Sequence, residues 1–447
     1  MSLKQFVWKK RLSFQGKTLV YLDMLRKWQW LDKESLHQLQ QERLKTLLAH
    51  AFHNTAYYRE ILRDCEVVDR FGNIQLGNFS NLPLLDKELI RLRFEELLSS
   101  DMSERNWYEN TSGGSTGVPV RFIQDEEYFF WNQAIKALDD EWTGRAIIDK
   151  QVRLWGSERD LMVGRDHFRT QVGRWLRNER WLNSLRMTHA TMREYIDEIN
   201  RFRPVQILAY VESLYELARY SEREKIPLYS PRAIMTSAGT LYPHMRETIE
   251  RVFQTKLFNR YGSTEVGDVA CECDRHKGLH VSTPTHYVEI LRPDGTPARP
   301  GEVGEIIITL LVNQVMPFVR YRIGDMGVWS AETCDCGRGL PLLQEVIGRR
   351  TDMFIDQEGR WIDGRVFLFI LDPKPYIQKF QVIQEKRDML RVLIVPVDRG
   401  VGYQAEIESI RQDIQKVMTC SVHFEFCDEI EPSPSGKYLY TISNVRR

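Results

Sequence analysis

The sequence predicts an α/β protein with a large N-terminal domain and a small C-terminal α+β domain. Its 447 residues exceed what one hydrophobic core usually holds. Strand patterns alternate with helical patterns between residues 205 and 253, and from about residue 278 short strands separated by turns follow. Hydrophobic residues make up 42% of the chain and aromatic residues 11%, which is typical of globular proteins with well-filled cores.

The large domain is predicted to begin with helices and to continue with repeated strand–helix units. Leu36, Leu44 and Leu48 follow the 3.6-residue helical period. Short apolar runs that lead into helical patterns are typical of parallel strands joined by crossover helices. The predicted elements are, in order, helices over residues 33–64 and 186–202, strand Val205–Tyr210, a helix over residues 212–223, strand Arg232–Ser237 and helix Met245–Phe253.

After residue 278 the sequence predicts mixed or antiparallel β structure, because turns such as Pro293-Asp294-Gly295 separate short apolar runs. We place a boundary within residues 346–352, which assigns residues 1–347 to the N-terminal domain and residues 348–447 to a compact C-terminal one. The predicted elements are strands Tyr287–Leu291, Glu305–Leu311 and Phe318–Tyr321 before the boundary, and strands Phe380–Ile383, Leu390–Val397 and Val422–Phe426 with helix Tyr403–Met418 after it.

Charge and hydropathy exclude several classes of function. Lys and Arg total 62, as do Asp and Glu, so broad electrostatic binding to nucleic acid is not expected. No apolar run reaches the roughly 18–20 residues that span a bilayer, and no signal-peptide core follows the start, so we expect a cytoplasmic protein. Residues 4–30 carry seven basic and six aromatic side chains. Either this segment docks on the body as a helix, or residues 1–30 contact an anionic membrane surface peripherally. The oligomeric state is left open.

A loop with the composition of a phosphate-binding site spans Thr111–Gly117. Its sequence, Thr-Ser-Gly-Gly-Ser-Thr-Gly, combines three glycines with four hydroxyl side chains. Glycine lets backbone N–H groups approach an anion closely, and Ser and Thr add short donors. The loop lacks the Gly-Lys-Ser/Thr ending of P-loop kinases and GTPases, which argues against an ADP-forming phosphotransferase. The alternative is a Gly/Ser-rich surface linker.

Further segments carry side chains suited to a nucleotide. Met235–Gly239 follows a predicted strand and precedes a helix, where α/β sheets commonly bind ligands. Asn259–Glu265 joins an aromatic ring, a glycine turn and a carboxylate, which would stack a purine, admit a close backbone and hold Mg²⁺. Arg320–Asp325 ends on a carboxylate able to accept hydrogen bonds from two ribose hydroxyls. Gly348-Arg349 at the boundary and Lys437 on a Ser-Gly turn complete the set.

In this order the segments resemble motifs of the adenylate-forming superfamily of acyl-CoA synthetases and related ligases. Thr111–Gly117 resembles its phosphate loop, Tyr261–Glu265 its Tyr-Gly-x-Thr-Glu motif and Tyr321–Asp325 its Tyr-Arg-x-Gly-Asp motif. Lys437 falls at the C-terminal catalytic lysine of that family. The sequence looks most similar to the phenylacetate–CoA ligase-like branch, which includes the CapK proteins linked to capsular polysaccharide genes. The segments that match this branch are Leu47–Ala51, Ala56–Arg59, Leu82–Lys87 and Ala209–Tyr215.

The resemblance implies an ATP-dependent, AMP-forming ligase that activates a carboxylic acid as an acyl-adenylate and transfers it to an acceptor, most often coenzyme A. It also implies that the C-terminal domain is mobile and carries the catalytic Lys437, which would bridge carboxylate and phosphate. Glu265 would hold Mg²⁺, Tyr261 would stack on adenine and Asp325 would bind the ribose. The other nucleotide-binding residues that the resemblance implies are Thr111, Ser112, Gly113, Gly114, Ser115, Thr116, Gly117, Ser237, Ala238, Gly239, Asn259, Arg260, Gly262, Thr264 and Arg349.

Two positions depart from the family pattern. Val120 stands near the place where the family often has a lysine after the phosphate loop, and Thr351 stands where the hinge usually has an acid. The acceptor therefore stays open between coenzyme A and an amine or hydroxyl in polysaccharide or secondary metabolism. The alternative of another class is a catalytically silent nucleotide-binding scaffold, although binding alone would not need both Lys437 and Glu265.

The cysteines suggest a metal site rather than disulfides. Their number, seven, is odd, and four of them form two Cys-x-Cys pairs, which place both thiols on one side of a strand or turn. Gly278–Val281 resembles the histidine segment of zinc-bearing members of the phenylacetate–CoA ligase-like branch. The favoured ligands of a structural Zn²⁺ are Cys273, His280, Cys334 and Cys336, with Cys271 or His276 as substitutes. The alternative is that the cysteines are reduced and serve as small buried side chains.

Overall fold

The computed structural model of the chain describes residues 16–112, 120–156, 168–184, 187–349, 353–358, 361–371, 374–398, 403–431 and 439–445. The chain divides into two compact units, Met1–Ile347 and Gly348–Arg447. The predicted α/β class is confirmed: the first unit combines a large mixed sheet with helices, and the second is a small α+β unit. What each unit does stays a proposal.

Helices begin the N-terminal unit, as the leucine pattern predicted. Asp32 caps the second helix by accepting a hydrogen bond from Ser35 N at 2.7 Å. Thr55 ends that helix and caps the next one through Tyr58 N, so the predicted helical segment 33–64 consists of two helices. The helices are α1 (Gly16–Trp28), α2 (Lys33–Asn54), α3 (Ala56–Asp64), α4 (Lys87–Leu92), α5 (Phe94–Leu97) and α6 (Glu126–Trp142).

Helix α1 docks on α6, which is the first of the two alternatives for the basic N-terminal segment. The Tyr21 and Trp131 rings stack with centroids 4.0 Å apart, and Lys17 pairs with Glu127 at 2.9 Å. Residues 1–15 lie outside the described residues. Within the described part of the chain, no helix has the length and apolar character needed to cross a membrane. The cytoplasmic location stays a prediction.

Eleven strands of the N-terminal part form one sheet with a parallel half and a largely antiparallel half. A separate antiparallel hairpin consists of β1 (Trp107–Thr111) and β2 (Arg121–Asp125). The parallel half consists of β3 (Gln151–Leu154), β4 (Glu179–Leu182), β5 (Gln206–Tyr210), β6 (Ala233–Ser237) and β7 (Leu257–Ser263), with helices α7 (Phe168–Leu176), α8 (His189–Phe202), α9 (Val211–Arg223) and α10 (Pro243–Phe253). The other half consists of β8 (Gly267–Glu272), β9 (Leu279–Val281), β10 (His286–Leu291), β11 (Val303–Leu310), β12 (Tyr321–Trp329) and β13 (Leu342–Arg349). The strand order in the sheet is β10-β11-β12-β13-β9-β8-β7-β6-β5-β3-β4. The main core lies between helices α1–α6 and the largely antiparallel half of the sheet.

The predicted strand Phe318–Tyr321 is wrong, because β12 begins only at Tyr321. Arg320 has a φ of 51°, in the left-handed region, which interrupts an extended strand. Its buried guanidinium donates to the carbonyls of Ser80 and Leu82 and pairs with Glu289 at 3.0 Å. The residue that breaks the apolar run therefore anchors the chain segment that leads into α4.

The C-terminal unit has the predicted α+β composition. Each of its predicted strands and its predicted helix corresponds to an observed element to within one residue at Val397, Tyr403 and Met418, and Ile410 and Ile414 are buried on the helix. The elements are β14 (Met353–Ile355), β15 (Trp361–Asp363), α11 (Arg365–Leu371), β16 (Ile377–Lys386), β17 (Met389–Pro396), α12 (Gln404–Val417), β18 (Ser421–Phe426) and β19 (Thr441–Ser443). Four of these strands form a sheet in the order β18-β17-β16-β19.

Candidate active site and metal centre

The predicted phosphate loop connects β1 to β2, and its two ends are fixed to each other. Ser112 N donates to Val120 O at 2.9 Å, and Ser112 Oγ accepts from Val120 N at 2.9 Å. Thr111, before them, is the last residue of β1. The Ser112 side chain therefore has a structural contact at the base of the loop. Five residues of this prediction lie outside the described residues, namely Gly113, Gly114, Ser115, Thr116 and Gly117.

Two residues predicted to bind the nucleoside are in direct contact. Tyr261 Oη donates a hydrogen bond to Asp325 Oδ2 at 2.8 Å, although the residues are 64 positions apart. Asp325 is buried and Tyr261 is half-buried. The bond fixes the edge of the tyrosine ring relative to the carboxylate, so the ring and the carboxylate that were predicted to bind adenine and ribose are held side by side.

Glu265 is a buried carboxylate with a cation and a hydroxyl beside it. Its Oε1 lies 3.3 Å from Lys87 Nζ and 3.4 Å from Tyr321 Oη, and only 6% of its surface is exposed. The turn that carries it is fixed from β2, because Gln124 Nε2 donates to the carbonyls of Thr264 and Glu265 at 3.0 and 3.2 Å. The buried negative charge is thus compensated within the site, while Thr264 itself is exposed.

Sequence reasoning missed Lys87 as a site residue. It is the first residue of α4, which Asp86 caps. The preceding Leu85 is joined to the start of β12, because Leu85 N donates to Arg320 O at 3.0 Å and Leu85 O accepts from Arg322 N at 2.8 Å. This pairing brings Lys87 to Glu265. A single lysine at a helix start is usually solvated, so the only signal was the match of Leu82–Lys87 to the phenylacetate–CoA ligase-like branch.

Close packing explains why glycine is required at two of the predicted site positions. A Cβ at Gly239 would overlap the Glu212 carboxylate, and a Cβ at Gly262 would overlap the carbonyl of Gly267. Ala238, between Ser237 and Gly239, has a φ of 66°. That conformation costs a non-glycine residue roughly 1–2 kcal/mol, and such strain clusters at ligand sites. Ser237 is buried at the end of β6, where the sequence analysis expected a ligand.

The structure does not bring Arg260 to the face of Tyr261. Successive residues of a strand point to opposite faces, and Arg260 is buried with its Nη1 at 3.0 Å from Asp268 Oδ2. For Asn259 the described contact is a backbone one, in which its N donates to Glu272 Oε2 at 3.0 Å. Arg349 is the last residue of β13. Contacts of these three residues with a nucleotide stay predictions. Lys437 lies outside the described residues.

The four favoured metal ligands form one cluster. The ligand atoms of Cys273, His280, Cys334 and Cys336 all lie within 4.8 Å of one another. Cys273 Sγ is 3.6 Å from Cys334 Sγ, and Cys336 Sγ is 3.3 Å from His280 Nε2. In tetrahedral Zn²⁺ sites with metal–sulfur distances of about 2.3 Å, ligand atoms lie roughly 3.5–3.8 Å apart. The cluster therefore has the donor set and nearly the spacing of a closed zinc site.

Secondary contacts orient these ligands. His280 Nδ1 donates to Leu340 O at 3.1 Å, which leaves Nε2 as the lone-pair nitrogen facing Cys336. Arg275 N and Arg338 N donate to the sulfurs of Cys273 and Cys336 at 3.5 and 3.4 Å. Burial lowers the pKa of His280 to about 4, so its imidazole is neutral at physiological pH, the form that binds a metal. Burial raises the pKa of Cys273 to about 12, so a cation that binds there must displace its proton.

The structure separates the two substitute ligands from this cluster. Cys271 is buried against Leu208 and Met235. His276 Nδ1 lies 3.1 Å from Glu272 Oε2, so its imidazole is engaged by a carboxylate. The geometry therefore favours the set that contains Cys273, and neither substitute is needed.

The chain resembles known proteins along most of its length. Residues 354–444 match the family model of the CapK C-terminal domain. The chain is 23% identical over 428 residues to the protein CapK of Staphylococcus aureus, covering 92% of this chain and 90% of that protein. It is 24% identical over 391 residues to a phenylacetate–coenzyme A ligase of Thermus thermophilus, covering 84% of each. A crystal structure of 2-hydroxyisobutyryl-CoA ligase in the postadenylation state has the same fold, with a TM-score of 0.68, 16% identity and coverage of 92% of this chain and 89% of that one. The chain is thus a homologue of CapK and of the phenylacetate–CoA ligases, with the fold of the adenylate-forming ligases that its motifs predicted.

Proposed function

We propose that this chain is an ATP-dependent, AMP-forming ligase that activates a carboxylic acid as an acyl-adenylate. One observation carries the proposal: the Tyr261–Glu265 and Tyr321–Asp325 motifs are joined by two side-chain contacts. Tyr261 bonds to Asp325 at 2.8 Å, and Tyr321 bonds to Glu265 at 3.4 Å. Two segments that are separate in sequence thus present an aromatic ring, a carboxylate for a ribose and a carboxylate for a cation in one place.

In the proposed reaction the chain's residues bind and orient ATP. Adenine stacks on the Tyr261 ring. The ribose hydroxyls donate to Asp325, whose position Tyr261 fixes. With the nucleoside held, the α-phosphate is kept at one place while the acid approaches, which removes much of the entropic barrier.

The chemical step requires positive charge, because a carboxylate must attack a negatively charged phosphate. Lys87 supplies one cation beside Glu265, at 3.3 Å. Glu265 would hold Mg²⁺, which withdraws charge from the phosphates when bound. Backbone N–H groups of residues 112–117 would hold the departing pyrophosphate, and Lys437 would bridge the reacting carboxylate and phosphate. These last two roles rest on the resemblance alone.

Coenzyme A is the proposed acceptor, because relatives that cover most of this chain are named phenylacetate–coenzyme A ligases. The thiol sulfur bonds to the carboxyl carbon, the bond from that carbon to the phosphate oxygen breaks, AMP leaves and the thiol proton is released to solvent. Thiol titration during turnover tests this step: loss of free thiol in proportion to AMP supports it, whereas AMP release with an amide or ester product and constant thiol overturns it.

The test of adenylation is ATP–pyrophosphate exchange across aromatic, fatty and amino acids. We expect exchange with at least one acid, lost in the Lys437→Ala variant and unchanged in a Lys416→Ala control, since Lys416 is an exposed lysine of α12 in the same unit. Exchange that persists in Lys437→Ala contradicts the catalytic assignment. If ATP binds but no acid supports exchange, the chain is a nucleotide-binding scaffold.

We further propose that Cys273, His280, Cys334 and Cys336 hold a structural Zn²⁺. The support is the four-ligand cluster and the hydrogen bond that fixes the tautomer of His280. Four protein ligands leave no coordination position for a substrate, so this ion would stabilise the fold rather than take part in the reaction. Metal analysis of protein purified without a metal-affinity tag should give one zinc per chain, and a value near zero would overturn the proposal.

A further inference from the structure

The turn that carries Glu265 connects β7 to β8 and is anchored through its backbone. Gln124 Nε2 donates to the carbonyls of Thr264 and Glu265 at 3.0 and 3.2 Å. His286 Nε2 donates to the next carbonyl, that of Val266, at 2.8 Å. Three consecutive carbonyls of the turn thus accept hydrogen bonds from buried side chains of β2 and β10. These bonds fix the backbone of the turn relative to both strands.

Gln124 also belongs to the hairpin that joins the two ends of the predicted phosphate loop. Strand β2 starts directly after Val120, whose N and O are both hydrogen-bonded to Ser112 at the base of that loop. Gln124 is 1% exposed, and its Oε1 accepts from Asn110 Nδ2 of β1 at 3.3 Å. The Tyr128 hydroxyl lies beside the same amide. Both strands of the hairpin therefore orient the side chain that holds the turn.

The carboxylate of Glu265 is held by different partners from its backbone. Its Oε1 lies 3.3 Å from Lys87 Nζ and 3.4 Å from Tyr321 Oη. A second cation that binds to this carboxylate repels the Lys87 ammonium, so the side-chain contacts change when the site is loaded. The hydrogen bonds from Gln124 do not involve the carboxylate, and this exchange does not break them. Gln124 therefore fixes the turn relative to the hairpin in both states.

We infer that Gln124 is a positioning residue for adenylation: it holds the turn of Glu265 against the β1–β2 hairpin, so that a cation on this carboxylate and the phosphates of ATP lie together. The inference rests on the proposed function and adds to it a residue that acts through Glu265. A displacement of about 1 Å at a site of this kind costs about 100-fold in rate. If Gln124 only satisfied two buried carbonyls, its loss would lower stability alone.

The test measures how much Mg²⁺ strengthens the binding of α,β-methylene-ATP, an analogue that cannot release pyrophosphate. Calorimetric titration gives Kd without and with Mg²⁺, and we call their ratio the metal enhancement. The Mg²⁺-free buffer contains no chelator, which leaves the proposed zinc in place. Gln124→Met keeps the length of the side chain but removes its donors. We expect the metal enhancement to fall about 10-fold while Kd without Mg²⁺ stays within about twofold, and the exchange rate at saturating ATP to fall by a similar factor.

Two further variants show whether the effect passes through Glu265. Gln384→Met is the matched control, because Gln384 is a buried glutamine of the C-terminal unit that bonds to the N and O of Ile355 at 3.0 and 2.7 Å. It should lower the unfolding midpoint and leave the metal enhancement unchanged. Glu265→Gln should lower the metal enhancement by itself. Adding Gln124→Met to it should change the ratio by less than about twofold, because two residues that act as one unit are not additive.

The outcomes separate this inference from the proposed function. No metal enhancement in the unaltered protein, an unchanged one in Gln124→Met, or a further fall when Gln124→Met is added to Glu265→Gln overturns the inference while adenylation stands. Failure of exchange with every acid overturns both. A thermal unfolding curve shows whether Gln124→Met is folded. If it is not, Gln124→Asn replaces it, since its amide keeps a polar group there but is one methylene too short to reach both carbonyls, and the same fall is expected.

Discussion

The proposed nucleotide site and the Cys/His cluster are both assembled from segments far apart in the sequence, but their polar groups are paired in different ways. In the Cys/His cluster, backbone N–H groups and the Leu340 carbonyl fix the ligands, and the four donors point at one another. In the nucleotide site the polar groups pair with each other, as Glu265 does with Lys87 and Tyr261 with Asp325. A set of mutually facing ligands can hold one ion and nothing else. Pairs of opposite groups can exchange one partner for a ligand, which is what a substrate site requires.

Because of this difference, we expect substitutions in the proposed nucleotide site to lower activity and substitutions in the Cys/His cluster to lower stability. The largest effect is expected at Glu265. Glu265→Gln removes the carboxylate beside Lys87 and, in the proposed function, the ligand for Mg²⁺. We expect ATP–pyrophosphate exchange to fall by a factor of about 100 or more, which is the scale of losing one electrostatic group at a reaction centre. Zinc content should not change. Glu42→Gln, at an exposed position of α2, is the control. Full exchange in Glu265→Gln would show that the site does not use this carboxylate.

The second prediction concerns the Cys/His cluster. Cys336→Ser replaces a sulfur ligand, which Arg338 N and His280 Nε2 contact, with a poor zinc ligand. We expect zinc to fall to less than one tenth of an equivalent and the unfolding midpoint to fall by about 5 °C or more, since structural zinc contributes directly to folding. Metal analysis and calorimetry measure the two quantities. Cys65→Ser, at a cysteine outside the cluster, should change neither. A Cys336→Ser protein that keeps its zinc would mean that other donors hold it.

A third substitution tests the pairing within the nucleotide site. Tyr261→Phe keeps the ring but removes the hydrogen bond to Asp325. The loss of one such bond costs about 0.5–1.5 kcal/mol, so we expect KM for ATP to rise about 3- to 10-fold with little change in kcat. Tyr229→Phe, a half-buried tyrosine outside both sites, is the control. A fall in kcat with constant KM would instead place Tyr261 in the chemical step.

Sequence reasoning was most successful where local pattern decides the structure. The strand–helix repeats, the C-terminal α+β unit and the cysteines of the Cys/His cluster could be named in advance, because periodicity and paired cysteines are local signals. His280 was favoured because its segment resembles the histidine segment of the phenylacetate–CoA ligase-like branch. The Phe318–Tyr321 strand failed because long-range contacts of Arg320 decide its backbone conformation. Lys87 was missed for the same reason, since its place beside Glu265 depends on the pairing of Leu85 with β12.

The substitution with the smallest expected effect is at Gln29, and it tests which part of the fold the Cys/His cluster stabilises. The turn after Cys336 contacts the chain just after α1: Arg338 Nε donates to Gln29 Oε1 at 2.8 Å, and Gly339 N donates to Gln29 O at 3.1 Å. Trp142 Nε1, on α6, donates to the same Gln29 Oε1 at 2.9 Å. Gln29 therefore joins the end of α1 both to the turn that carries the cluster and to α6.

Gln29→Ala removes these two side-chain hydrogen bonds and a third, which Gln29 Nε2 donates to Arg26 O at 3.0 Å, and it leaves the ligands in place. We expect the unfolding midpoint to fall by about 1–2 °C, in line with about 1 kcal/mol for a protein of this size, while zinc content and exchange activity stay within twofold. Limited proteolysis should cut the α1 segment faster in Gln29→Ala than in the unaltered chain. Removal of zinc by a chelator should speed the same cut in the unaltered chain and add little in Gln29→Ala, because both changes break one connection. If the chelator speeds cleavage equally in both proteins, the cluster and Gln29 stabilise α1 independently.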